Sequence, residues 1–320
     1  MSGIAENIKR ILKLFFLYTV GSIFKLFPYN LSCLLGDITG SLSFAIEKHK
    51  RGIVEAELRA LLGRRLDRMD IDIIVRDCFR NFRKNAFDIW QFSRMNKERV
   101  RRISEIEGKE NLDYALKNGK GVMICLSHFG SYKMILPVLG FEGYPVNQVA
   151  IRPTSFVKDG WSNAVDNRIM EMEYESEKKL PVKFLYIDRF LKSIFEALKK
   201  NEIVVMSMDG VAGARRTRVD LLDRKVLLST GAIEIAMKTG ASLIPAFMVR
   251  GSDKRHRIIL GEPIGIDNEI PKDDAILKAT QAFAGILAGY IEKYPSHYGM
   301  FLYVARKNPV QGNQYIFQDV

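Results

Sequence analysis

From residue 108 onward the chain carries five short apolar runs separated by longer helical segments: VMICLS (122–127), VNQVAI (146–151), IVVMSM (203–208), SLIPAFMV (242–249) and RIIL (257–260). Runs of this length, rich in β-branched residues and apolar on both faces, are what fully buried strands look like, because a strand covered on both sides has no solvent-facing position to leave polar. Alternation of such strands with helices predicts a sheet covered on both faces, a three-layer α/β fold. No internal repeat, low-complexity tract or long Pro/Gly/Ser linker interrupts the pattern. Residues 48–320 are therefore read as one α/β domain, and residues 1–47 as a separate helical region that associates with a membrane.

The membrane reading comes from residues 11–27, ILKLFFLYTVGSIFKLF, which are apolar, preceded by Lys9 and Arg10 and interrupted by Lys13 and Lys25. A helix of that length is about 25 Å long, and its uncharged part, residues 14–24, covers only about 16 Å of a hydrocarbon layer near 30 Å thick. It is too short to span comfortably. A helix lying in the interface puts Phe15, Phe16 and Phe24 among the acyl chains and the basic residues at the headgroups. An ordinary buried helix is the alternative. Between residues 48 and 109, Ile71, Ile74, Val75, Cys78 and Phe82 recur at three- and four-residue spacing, which predicts amphipathic helices with a basic face.

Lys and Arg outnumber Asp and Glu by 49 to 37, and such a surplus attracts anionic partners: phospholipid headgroups, an acidic carrier protein or nucleic acid. Nucleic acid is disfavoured because the aromatic residues sit in apolar segments and are not interleaved with basic ones. The three cysteines, Cys33, Cys78 and Cys125, are widely spaced in apolar company, and the four histidines are scattered singly. Neither a disulfide framework, a metal site nor a cofactor is expected. No Gly-x-Ser-x-Gly elbow points to a serine hydrolase, and GVAGA (210–214) lacks the Lys-Ser/Thr ending of a phosphate-binding loop.

The chemistry-bearing stretch is CLSHFGSYK (125–133), which puts His128 at the end of the first buried strand, where loops of an α/β sheet converge on ligands. Gly130 allows a sharp turn or a close approach to a ligand. The stretch resembles the late acyltransferases of bacterial lipid A synthesis, part of the glycerolipid acyltransferase superfamily, whose signature is His, four residues, then Asp or Glu, commonly HxGNWE. His128, Gly130 and the aromatic Tyr132 match, Ser131 stands for the Asn, and Lys133 stands for the acid. The likeness extends to Arg152-Pro153 after the next strand, Arg168 in the following helix, Asp209 at the end of a later strand, the block from residue 214 to 250, and the aromatic turn YPSHYGMFLY (294–303).

The resemblance implies an acyltransferase at the cytoplasmic face of the bacterial inner membrane. It would move an acyl chain from an acyl carrier protein or acyl-CoA thioester to a hydroxyl of a lipid A-like or other lipid acceptor, with His128 as general base. It also implies that the acid five positions on orients the imidazole, which Lys133 cannot do, because an ammonium accepts no hydrogen bond. Either Asp209 takes over that role or Lys133 binds a phosphate or donor group while His128 works alone. A carrier-dependent aminoacyl transferase and a non-catalytic lipid-binding homologue or partner subunit are the other readings. Gly130, Arg152, Arg168, Arg215, Arg216 and Arg218 are candidate substrate contacts, guanidinium being suited to phosphate and carboxylate oxygens. A solvated loop is the alternative for the three arginines at 215–218.

Overall fold

The computed structural model describes residues 26–151, 164–186, 191–210, 213, 215–308, 310 and 315–318. Residues 11–25 of the expected interfacial helix, and Arg152, lie outside the described residues, as does the side chain of Arg168. The elements run, in chain order, α1 (Tyr29–Ile46), α2 (Lys48–Leu62), α3 (Ile71–Gln91), α4 (Lys97–Ile103), β1 (Ser104–Glu107), α5 (Lys109–Lys117), β2 (Val122–Leu126), α6 (Ile135–Phe141), β3 (Val146–Ala150), α7 (Ala164–Glu177) and β4 (Lys183–Tyr186). They continue with α8 (Lys192–Lys199), β5 (Ile203–Ser207), β6 (Arg216–Leu221), β7 (Arg224–Ser229), α9 (Gly231–Thr239), β8 (Ser242–Arg250), β9 (His256–Leu260), α10 (Lys272–Lys293), α11 (Gly299–Lys307) and β10 (Phe317–Gln318).

Among the described residues seven strands form one sheet in the order β1-β9-β8-β2-β5-β3-β4. All neighbours are parallel except β8 and β9, which are antiparallel. All five apolar runs are strands of this sheet. β2, at its centre, is buried at every position, because successive side chains point to opposite faces and helices cover both. Val122, Ile124 and Leu126 join a core with Val100, Leu112 and Ile135 of α4, α5 and α6. Met123 and Cys125 point the other way, into a larger core with residues of α2, α3, α9, α10 and α11. Helix, sheet, helix is the three-layer arrangement expected.

The amphipathic segment after residue 70 is α3, started by Asp70, whose side chain accepts from the N–H of Ile73 at 3.1 Å. Val75, Cys78 and Phe79 are buried as the periodicity requires, whereas Phe82 is exposed at 39 % and faces the mouth of a cavity described below. α1 lies directly along α3. Gly36 and Gly40 make that approach possible: a Cβ at either would come within 2.4 Å of Lys84 Cγ or 2.5 Å of Arg80 Cα. Lys84–Asp37, at 3.0 Å, and Arg80 to Ser41, at 2.8 Å, tie the two helices across their flank. Among the described residues no helix is long and apolar enough to cross a membrane.

One stretch departs from expectation. The basic segment around residues 215–229 reads as a loop but forms β6 and β7, which with β10 make a separate antiparallel sheet in the order β10-β7-β6. In β6 only Val219 and Leu221 are buried, between exposed Arg218 and Asp220. Half-buried strands with so little apolar content do not register as runs, and only the pairing with β7 stabilises them.

Candidate active site

His128 follows β2, and Asp209 follows β5. Parallel pairing sets Val122 opposite Ile203 and Leu126 opposite Ser207. The same offset carried two residues beyond the strand ends brings 128 opposite 209. The backbone bond from Met208 N to Leu126 O, at 2.8 Å, continues that register. The Asp209 carboxylate, fully buried, accepts from the His128 backbone N–H at 2.9 Å through Oδ2 and lies 2.7 Å from His128 Nδ1 through Oδ1. Tyr298, at the start of α11, donates its hydroxyl to Oδ2 at 3.2 Å. Burial and the adjacent Asp209 push the Tyr298 phenol well above its ordinary range, so it remains a donor.

A carboxylate only accepts, so the proton of the neutral His128 ring sits on Nδ1 and the lone pair on Nε2. The ring is held flat against Phe301, with centroids 4.9 Å apart and planes 5° from parallel, while Tyr132 meets it edge-on at 4.7 Å. These contacts leave Nε2 for a substrate. The arrangement is that of an oriented general base.

His128 stands where two cavities meet. The larger, about 840 Å³, is walled by Leu126, Leu136, Val149, Phe184, Phe195 and Met206, with Arg215 and Lys238 among its polar lining. The smaller, about 260 Å³, lies between α3 and α11 and is walled by Phe82, Ala86, Phe92, Met300 and Val304. His128, Tyr132 and Lys133 line both.

Lys133, the residue in the family's acidic position, does not serve His128. Its ammonium lies 2.8 Å from Glu173 Oε2 and 2.8 Å from Glu177 Oε1, one turn apart on α7. Burial opposes its charge, but the two carboxylates outweigh that and hold its pKa well above the ordinary lysine value. Lys133 is thus a clip between the short helical turn after His128 and α7, and the carboxylate at the imidazole comes from Asp209.

The other expected contacts divide. Gly130 has φ +59°, and a Cβ there would come 1.9 Å from Met248 O on β8, so only glycine fits where the loop bridges to that strand. Arg216, half-buried, donates to Gly210 O at 2.5 Å and Leu227 O at 3.2 Å. It pins the loop after Asp209 to β7. Arg215 is exposed, pairs with Glu234 at 2.7 Å and lines the larger cavity. Arg218 is exposed on β6, away from both cavities. Residues the sequence did not single out for the site are Tyr298, Phe301, Glu173 and Glu177. The aromatic turn 294–303 was visible as a motif, but nothing local says that it reaches His128.

Two histidines, the buried His256 and the partly buried His297, are expected to make the fold acid-sensitive. Burial lowers the pKa of His297 to about 3, with Arg250 adding to the effect, and burial and Arg250 also lower His256. In the unfolded chain both protonate near the ordinary histidine value of about 6.5. Below that pH the unfolded state binds protons the folded state refuses, so stability falls as pH drops from 6.5 toward 3. His297 costs up to about 1.4 kcal/mol per pH unit in that window, and His256 acts in the same direction. Thermal melts from pH 7.5 to 5 should show Tm falling steadily below pH 6.5, and less steeply in His297→Gln. A flat profile rules out neutral burial.

A search of curated proteins found no match to this chain. The model of the family described as bacterial lipid A biosynthesis acyltransferase matches residues 6–304, a span that takes in His128, Lys133, Asp209 and the aromatic turn. The chain therefore belongs to the bacterial lipid A biosynthesis acyltransferase family.

Proposed function

We propose that this protein transfers an acyl chain from an acyl carrier protein thioester to a hydroxyl of a lipid A-like acceptor, with His128 as general base and Asp209 as its orienting partner. The observation that carries this is the His128–Asp209 pair, 2.7 Å apart, at the junction of two apolar cavities. Nε2 of His128 takes the acceptor hydroxyl proton as its oxygen attacks the thioester carbonyl. The tetrahedral intermediate then collapses, the C–S bond breaks, and the imidazolium returns the proton to the departing thiolate. Asp209 keeps the lone pair on Nε2 before the step and stabilises the imidazolium during it.

Two separate cavities give donor and acceptor separate berths. The larger, with Arg215 and Lys238 in its lining, suits the donor chain and the anionic arm of its carrier; the smaller, between α3 and α11, suits an acceptor chain. The non-catalytic alternative starts from Lys133 in the acidic position; the carboxylate of Asp209 beside His128 supports the catalytic one. Among the described residues of the site none favours aminoacyl transfer.

The reaction is proposed to take place at the cytoplasmic face of the inner membrane. Leu31, Leu34, Ile38, Leu42 and Ile46 form an exposed apolar stripe along α1 at helical spacing, which supports an interfacial seat for the N-terminal region. Purified protein given acyl carrier protein thioesters of graded chain length and a lipid A precursor in mixed micelles should yield acylated lipid by mass spectrometry. Absence of product with every lipid acceptor tried overturns the reading.

A further inference from the structure

Behind the loop that carries His128 lies a second polar cluster that the proposed reaction does not use. Its hub is Arg250, at the end of β8, buried with Asp88 of α3. The guanidinium Nη2 donates to Asp88 Oδ2 at 2.5 Å and to Asn85 Oδ1 at 3.2 Å; Nη1 donates to Tyr29 OH at 2.6 Å and faces His256 Nε2 at 3.2 Å. Burial alone would raise the Asp88 carboxyl, but Arg250 and His256 hold it below its ordinary value. His256 receives at Nε2, so its neutral ring presents Nδ1–H to Ser131 Oγ, 3.0 Å away.

Three arms of the cluster end on the catalytic loop, through Asn85, His297 and His256. Asn85 Nδ2 donates to Gly130 O at 2.9 Å. Gly130 N donates to His297 O at 2.9 Å, and His297 Nε2 in turn accepts from Arg250 N at 3.1 Å. Ser131 is reached through His256. The loop is thus held at His128 by Asp209 and at residues 130–131 by the Arg250 cluster. A buried ion pair contributes little net stability, since desolvation of both charges offsets their attraction, and what it supplies is one defined geometry.

We infer that the buried Arg250–Asp88 pair, acting through Asn85 and Ser131, is a positioning centre that sets the rotation of the His128 ring toward Asp209. The inference rests on His128 being the general base. Tyr29, the first residue of α1, donates to Lys254 O at 2.5 Å and closes the cluster on the side of the N-terminal region.

Replacing Arg250 or Asp88 would strand a buried charge and risks unfolding, so the test uses the arms with the pair intact. Asn85→Ala should lower kcat about tenfold and Ser131→Ala about threefold, with KM for donor and acceptor unchanged. A second readout needs no substrate: with 15N-histidine labelling, the His128 ring, assigned by its loss in His128→Gln, should show the Nδ1–H tautomer in the wild type and a mixture of tautomers in Asn85→Ala. A fall in Tm alone, with kcat and tautomer as in the wild type, reduces the cluster to a structural role and overturns the proposal. So does a rise in acceptor KM at constant kcat, because Asn85 and Ser131 also line the smaller cavity and would then be touching substrate. If the wild type transfers no acyl group at all, the function reading fails, and the tautomer measurement still decides the positioning claim.

Discussion

Asp209→Asn should lower the turnover of acyl transfer by about 10² to 10⁴ while leaving the protein folded, a loss comparable to that of His128→Ala. The amide fills the same volume and keeps one acceptor oxygen for Tyr298, so the packing around the buried site is retained. What changes is the partner of His128 Nδ1. An amide group that donates there drives the ring proton to Nε2, and the nitrogen facing the substrate loses the lone pair that removes the hydroxyl proton. The imidazolium formed in the step also loses its counter-charge. Because the two residues act as a unit, the double variant His128→Ala with Asp209→Asn should be little worse than either alone. The measurement is initial rate with a saturating carrier thioester, with circular dichroism as the control for folding. An Asp209→Asn protein within threefold of wild type would mean that the orienting carboxylate lies elsewhere.

Lys133→Glu restores the residue type the family has at this position and is nonetheless expected to harm the protein. In this chain that side chain faces Glu173 and Glu177, each 2.8 Å from the ammonium. A glutamate there would gather three carboxylates in a mostly buried site with the compensating cation removed. Breaking a pair of this kind typically costs about 3–5 kcal/mol, which in a domain of this size corresponds to a Tm loss on the order of 10 °C. Turnover should fall as α7 detaches from the turn beside His128. Combining Lys133→Glu with Glu173→Lys restores one opposite-charge contact and should recover about half of the lost stability. Lys133→Glu with unchanged Tm and raised turnover would show instead that the site is waiting for its missing acid. The two outcomes are opposite in sign, so one purification and two measurements separate them.

The sequence places His128 and Asp209 at the ends of two buried runs, and the structure brings the two side chains within 2.7 Å of each other, while Lys133 pairs elsewhere. His128 and Asp209 were both legible as polar residues closing buried apolar runs, since burial is written into composition and strand ends follow from where the apolar run stops. Lys133 was legible only as a departure from a motif. Its partners lie 40 and 44 positions away on a helix whose periodicity says nothing of which turn faces which strand. Arg216 shows the same limit: a guanidinium read as a candidate phosphate contact is spent on two backbone carbonyls, because β6 and β7 pair and turn it inward. The Arg250 cluster was not legible at all, since Tyr29, Asp88, Ser131 and His256 come from four separate stretches with no shared local pattern.

By itself the sequence determined the layering and the family. Strand and helix periodicity are local properties of which side chains must leave water, and a span of matched residues from 6 to 304 accumulates enough of them to identify the fold's relatives. The tertiary structure decided which carboxylate serves the histidine. That choice hangs on the register between β2 and β5, an offset of 81 residues set by how two distant strands and the helices on both faces pack together. Because register is decided by the packing energy of the whole sheet and not by either strand's own pattern, the acid that completes the pair was fixed only once the chain was folded.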